Sequence, residues 1–368
     1  MSTPTKSLIK FLAAVVAVLV AAPVLTFIVD PLQLFRPARV VDAMYSIDSR
    51  MQNAGLIHSQ TFDTVFMGTS LAIHFRQSDM DKALGVRSLK LAMSGSNSHE
   101  QSFVLATAME RHPARVIWEM DDWIFRDAPE VDANAYIPAD FYRRNARGIA
   151  SYLVSGAMAR ESLWILARSV PPLRPVVTRL TNGIMFKFPL AQAEDINVLR
   201  PSDNVAEIYN AGKALAAFKF ITDPVRSNYL AEGYETGAMM RNFERDAVAL
   251  IAQNPSVTFD IYFPPYSILQ FVAMRDASPT TLAIVYDVTA RIAQRLTQLP
   301  NVRLYDFRRV KDVTHDLGNY SDVVHHSPAV DAKVLHWLAR GDYRVDPKMP
   351  LASLDELKAQ VEAYRVPQ

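Results

Sequence analysis

Five short runs of β-forming residues, separated by stretches with helical spacing, constrain this chain more than any other feature. Residues 64–67, 88–92, 116–120, 258–263 and 302–307 are largely apolar, as buried strands are. Helical spacing marks residues 99–111, 231–253 and 281–296, while 80–84 is too short to assign. Alternating strand and helix predicts an α/β fold with about five parallel strands and helices on both faces of the sheet. Ligands bind such sheets beyond the carboxyl ends of the strands, so the residues just after each run are the ones to read for chemistry.

Between the third and fourth runs, residues 125–230 carry few strand signals, many helix formers and several prolines, including Pro171-Pro172 and Pro175. They read as a mostly helical insertion over one edge of the sheet, either a lid or substrate platform or a structural elaboration away from ligand. Residues 30–60 read as a connector, from Asp30-Pro31 through Arg36-Pro37-Ala38-Arg39. The main domain then spans 61–345, and the tail 346–368 holds an amphipathic surface helix at 353–364.

Phe11 to Val29 is a run of nineteen uncharged residues with Lys6 and Lys10 in front of it. About twenty such residues cross a bilayer as a helix. A cleaved signal peptide is the competing reading. Its best site follows Ala22, which places Pro23 directly past the cut, and the apolar run continues beyond it, so a retained anchor at 11–29 is favoured. The positive-inside bias puts residues 1–10 in the cytoplasm, although Arg36 and Arg39 on the far side make that bias modest. The expectation is a single-pass inner-membrane protein with its domain in the periplasm.

The 39 Lys and Arg nearly balance the 38 Asp and Glu, which argues against nucleic acid as a partner, because a phosphate backbone demands a basic face. Cysteine is absent, which excludes disulfides, thiolate chemistry and Cys-based zinc sites. A Gly-x-Gly-x-x-Gly fingerprint and a phosphate loop are also missing, so no organic cofactor is expected.

Four segments can carry chemistry. The first run ends in Gly68-Thr69-Ser70, which places Ser70 on a strand-to-helix turn where helix N–H groups would face an oxyanion; a plain N-cap serine is the bland reading. The second ends in Ser94-Gly95-Ser96-Asn97-Ser98-His99-Glu100, where Gly95 can offer a second backbone donor and Ser96 or Asn97 a side chain. An ordinary turn and helix cap fits the same residues. After the third, Asp121, Asp122 and Trp123 offer carboxylates for substrate and a ring to stack on a sugar, or else caps and core.

The fourth segment is Asp322-Val323-Val324-His325-His326. An aspartate three residues ahead of a histidine can hold its Nδ1–H and leave Nε2 facing a serine, the arrangement that makes a hydroxyl nucleophilic. His326 is the alternative base. A metal site is a further reading, since His315, Asp316, Asp322, His325 and His326 crowd together, but no helical i, i+4 spacing supports it and no metal is expected.

Taken together, Gly68-Thr69-Ser70, Gly95 and Asp322-x-x-His325 resemble the ordered blocks of the SGNH hydrolase superfamily. The Gly-Thr-Ser form with one N-terminal anchor looks more like its cell-envelope branch, which includes alginate-acetylation and teichoic-acid-alanylation proteins. The resemblance covers roughly 60–345 and implies a three-layer flavodoxin-like domain. It implies Ser70 as nucleophile, His325 as base, Asp322 as its orienting carboxylate, and the Gly95 and Ser70 amides as oxyanion donors. Two departures stand out: Thr69 replaces the usual aspartate, and Asp121 and Asp122 stand where the family has Gly-x-Asn-Asp. The function implied is transfer or hydrolysis of an acyl group, acetyl foremost, on a cell-surface polysaccharide, with a membrane-bound acyltransferase as a possible source of the acyl group. A non-catalytic envelope scaffold or polysaccharide-binding protein on a degenerate fold of this kind is the alternative.

Overall fold

The computed structural model describes residues 3–39, 45, 49–127, 137–180, 205–225 and 230–367. The chain divides into two compact units, residues 61–135 with 198–368 and residues 1–60 with 136–197.

The larger unit is built on a five-stranded parallel sheet: β1 Thr64–Met67, β2 Ser88–Lys90, β3 Arg115–Glu119, β4 Thr258–Phe263 and β5 Val302–Asp306. Their order is β2-β1-β3-β4-β5, with registers such as Val65 opposite Leu89 and Val116, and Ile261 opposite Leu304. Each falls within a residue or two of its sequence-predicted run. β2 stops at Lys90, yet Leu91 N–H to Phe66 O (2.8 Å) and Met93 N–H to Gly68 O (3.0 Å) keep the chain beside β1. Val65, Phe66, Leu89, Val116, Ile117 and Trp118 are wholly buried, which is why these strands read as continuous apolar runs rather than alternating ones.

Of the expected helices, the one at 99–111 is present and others depart from the sequence reading. Helix Ser98–Met109 begins at a capping box, Asn97 Oδ1 accepting the Glu100 amide while Glu100 returns to the Asn97 amide, a pairing worth about 1 kcal/mol. The predicted helix 231–253 starts later, at Thr236–Phe243, because Gly233 sits at φ +76° and Glu235 caps the amides of Gly237 and Ala238. It then passes through a π-turn at Glu244–Val248 before Ala249–Gln253. Helix Ile268–Ala277 was not expected. Six of its ten residues, Ile268, Leu269, Phe271, Val272, Ala273 and Met274, are buried, and no polar residue falls between Gln270 and Arg275 to betray a helical period.

The smaller unit is helical. Its first helix, Thr3–Val29, is long and apolar enough to cross a membrane, with a mean hydropathy of 2.8 over its best window, and contains Pro23. The expected connector is not all connector: helix Ser49–Ser59 lies within it, buried over residues 52–57. Its Gly55 is required by close approach, since a Cβ there would meet the Leu32 carbonyl. The 125–230 segment is divided between the two units. Helices Ala139–Arg143, Ala146–Val154, Gly156–Ser169 and Arg174–Leu180 cluster with the N-terminal helix, whereas Ala211–Ile221 belongs with the sheet. Residues 128–136, 181–204 and 226–229 of it lie outside the described residues.

Asp30 ties the smaller unit together. It sits at φ +50°, and its carboxylate accepts the amides of Leu34 (2.9 Å), Phe35 (2.9 Å) and Arg36 (3.1 Å) and the hydroxyl of Tyr152 (2.9 Å). Tyr152 in turn accepts the Leu32 amide at 3.2 Å. Arg36 donates to the carbonyls of Phe27 and Ile28, the C-terminal end of the first helix, where a cation is favoured.

Candidate active site

The strand order reverses between β1 and β3, so their connections leave in opposite directions and open a crevice beyond their carboxyl ends. Ser70 follows β1 there, and Asp121 follows β3. The Gly68-Thr69-Ser70 turn leads into a single 3-10 turn, Ala72–His74, rather than the expected helix, because Phe75 and Arg76 are extended. Gly68 is needed at the bend: a Cβ would lie 2.6 Å from the Cβ of Ala72 and 2.9 Å from Glu119.

The sequence places Ser70 and His325 far apart; the fold brings them together. Ser70 Oγ lies 2.9 Å from His325 Nε2, and His325 Nδ1 lies 2.6 Å from Asp322 Oδ2. The loop that presents them is locked. Tyr320 and His326 form an antiparallel bridge, the Ser321 amide donates to the His325 carbonyl at 3.0 Å, and the Tyr320 hydroxyl donates to the Pro265 carbonyl at 2.7 Å. Asp322 serves twice. Its Oδ1 accepts the amides of Val324 (2.8 Å) and His325 (2.7 Å), leaving Oδ2 for the imidazole.

Electrostatics follow from that geometry. Burial works against the His325 imidazolium, but the bond to Asp322, its charge and that of Asp121 outweigh burial and raise the pKa above the ordinary histidine value. For Asp322, burial pushes upward, yet His325 and the two amides hold the carboxyl below the usual range. With Asp322 ionised, Nδ1 carries the proton and Nε2 is the acceptor toward Ser70.

His326 is placed differently. Its side chain is 1% exposed, against 32% for His325. Its Nδ1 lies 3.0 Å from Asp331 Oδ1, but without the alignment of a hydrogen bond, and its ring packs edge-on to Phe75.

Behind Ser70 lies a buried acidic layer that the sequence only half disclosed. The Thr69 hydroxyl donates to Asp121 Oδ2 at 2.6 Å, and the Tyr266 hydroxyl donates to Oδ1. Thr69 N–H reaches Glu119 Oε1 at 3.4 Å, and the Tyr262 hydroxyl holds Glu119 Oε2 at 2.9 Å. Burial pushes Asp121 up to about 6, with the Thr69 and Tyr266 bonds opposing it. Burial, reinforced by the charge of Asp121, pushes Glu119 well above the carboxylate range. Asp121 therefore braces the Gly68-Thr69-Ser70 turn rather than projecting toward solvent. Glu119, Tyr262 and Tyr266 were missed, though Tyr266 follows β4 and the sheet-edge rule points to it.

Asp122 is buried, and no well-aligned hydrogen bond holds either carboxylate oxygen; burial raises its pKa against the charges of Arg308 and Arg126. Trp123 is half-buried in the 3-10 turn Asp122–Phe125, with the Arg126 guanidinium 5.5 Å from its ring centroid. Trp118 is core, its Nε1–H donating to Gln101 Oε1 at 2.7 Å. Gly95 adopts φ +62° on the turn after β2, with open space where a Cβ would stand. Asn97 Oδ1 is committed to the helix cap. Among the described residues, no group of three or more His, Asp or Glu side chains is placed to hold a metal ion.

A serine hydroxyl, an imidazole acceptor and an orienting carboxylate within hydrogen-bond reach at a sheet edge define a site able to activate a nucleophile. Comparison with protein-family models and with curated proteins yields no match.

Proposed function

We propose that this protein is an SGNH-type serine acyltransferase or esterase, anchored in the inner membrane with its site in the periplasm, acting on acyl groups of a cell-surface polysaccharide. The observation that carries the reading is the pair of contacts through one imidazole, 2.9 Å to Ser70 and 2.6 Å to Asp322. The strand order, which matches that of doubly wound flavodoxin-like sheets, supports the fold assignment. The apolar N-terminal helix supports the anchor.

In this reading Ser70 Oγ attacks the acyl carbonyl while its proton passes to His325 Nε2. The amides of Ser70 and Gly95 are the proposed oxyanion donors. Collapse expels the leaving group, which takes the proton back from His325, and leaves an ester on Ser70. A sugar hydroxyl or water then gives its proton to His325, attacks the ester, and Ser70 regains its proton. Acetyl is the proposed acyl group, and a membrane-bound acyltransferase is a proposed source of it. The role of Asp121 is to hold Thr69, and with it Ser70, in position.

The test is covalent. The protein is incubated with p-nitrophenyl acetate while nitrophenol release and intact mass are followed, beside Ser70→Ala. The expected result is an acetyl adduct and turnover, both lost in the variant, with glycans then separating transfer from hydrolysis. Release and adduct that persist in Ser70→Ala overturn the assignment. No Ser70-dependent reaction with any acyl donor moves the protein to the scaffold class.

A further inference from the structure

The helical unit around the N-terminal helix carries a surface that the proposed chemistry does not use. The first helix is exposed from residue 5 through residue 21, and from residue 22 onward one side of it is covered while Val24, Phe27 and Ile28 stay exposed. Leu25 and Val29, near its end, pack with Trp164, Ile165 and Ala167 of helix Gly156–Ser169 and with Val177 of helix Arg174–Leu180. At about 1.5 Å per residue, Phe11–Val29 is about 28 Å long, close to the roughly 30 Å of a hydrocarbon core. The helix starts at Thr3 and its apolar stretch at Thr5, so a span of that length ends at or before Val29. On the anchor reading Leu25 and Val29 therefore lie in or just beyond the outer boundary of the bilayer, and the helices packed on them lie there too.

Their composition fits that depth. Trp164 is buried against the first helix, and the exposed Arg168 guanidinium covers its ring at 4.8 Å from the centroid, which leaves the cation on the outer face. Val154, Val170 and Val176 are exposed, Val176 by 55% and Val154 by 70%. Across residues 137–180 seven arginines stand against one aspartate and one glutamate, although the whole chain is nearly neutral. Arg168, Arg174 and Arg179 are all exposed. Exposed valines among clustered arginines, at the depth of the headgroups, are the makings of an interfacial surface.

We propose that helices Gly156–Ser169 and Arg174–Leu180 form a collar that lies in the bilayer interface and binds the phosphates of anionic phospholipids. The proposal rests on the reading of residues 11–29 as a retained anchor, and its test separates the two. Because the chain has no cysteine, one introduced thiol takes one label. Full-length Val176→Cys and, separately, Phe11→Cys are labelled with an environment-sensitive fluorophore and reconstituted in phosphatidylcholine vesicles with and without phosphatidylglycerol. Quenching by aqueous iodide is compared with quenching by lipids that carry a nitroxide near the headgroup.

The expected result is that the label at Val176 is shielded several-fold from iodide, is quenched by the shallow nitroxide, and is shielded further when phosphatidylglycerol is present. Arg168→Gln, Arg174→Gln and Arg179→Gln combined should remove that further gain while the helical circular dichroism is kept. A label at Val176 open to iodide, with Phe11 shielded, overturns the collar and leaves the anchor standing. Both labels open to iodide overturn the anchor and the collar with it. Equal shielding in the two lipids overturns the anionic preference.

Discussion

Adjacent in the chain, His325 and His326 each face an aspartate, Asp322 at 2.6 Å and Asp331 at 3.0 Å. Successive side chains in an extended segment point to opposite sides, so the small hairpin that carries both sends one imidazole to Ser70 and the other into the core beside Phe75. His325 has a bonded aspartate, a nearby hydroxyl and a third of its surface open to solvent. His326 has an aspartate of similar proximity, no aligned bond and no opening. A base is made by alignment and access together, and neighbouring position in the sequence supplies neither.

The comparison can be broken most sharply by exchanging which histidine is removed. His325→Ala should lower Ser70-dependent turnover by about 10⁵- to 10⁶-fold, the scale on which loss of one member of a serine triad is felt. His326→Ala should act on stability instead, with a lower thermal midpoint and kcat held within about tenfold where the fold survives, because it empties a core position. The reverse ordering of the two kcat values would reassign the base to His326.

Asp322→Asn comes next, with an expected loss of about 10⁴-fold in kcat, as when the orienting carboxylate of a triad is replaced and the imidazole takes the wrong tautomer. Its Oδ1 can still accept the amides of Val324 and His325, so the loop keeps its shape and the loss should appear without a change in thermal midpoint.

A smaller effect separates positioning from chemistry at Asp121. Its charge helps raise the His325 pKa. The base must be neutral, so kcat/KM should rise with pH through that raised value. Asp121→Asn removes the charge, lowers the His325 pKa and should move the acid limb of the profile to lower pH. An unmoved limb would leave Asp121 a merely structural ligand of Thr69 and Tyr266. Smallest of all, Asn97→Ala should cost about 1 kcal/mol in urea denaturation, the value of a lost N-cap, with kcat unchanged. A large fall in kcat would return Asn97 to the substrate.

What could be read in advance follows from range. The strands were legible because both faces are buried, so Val65-Phe66-Met67 and Val116-Ile117-Trp118 announce themselves without a partner. The Asp322-x-x-His325 pair was legible because three residues of separation are enough to close it. Helix Ile268–Ala277 was not, since the unbroken apolar run Phe271–Met274, buried on every side, erases the periodicity on which a helix is recognised. The brace of Glu119, Asp121, Tyr262 and Tyr266 was hidden for another reason. Its bonds join residues more than 140 positions apart, and only the β3–β4 pairing brings them opposite one another. Choosing between His325 and His326 needed the direction of each side chain, which spacing along the chain does not contain.

Asp30 has a mechanical consequence. A helix that crosses a bilayer changes its tilt as the hydrocarbon thickens or thins. Three amides and a tyrosine hydroxyl on one carboxylate clamp the bend that follows the first helix to helix Ala146–Val154. If the first helix spans a bilayer as proposed, fixing it in this way makes it a lever and not a leash. On that reading a change in membrane thickness would turn the helical unit with it, so bilayers of different depth would hold that unit at different angles.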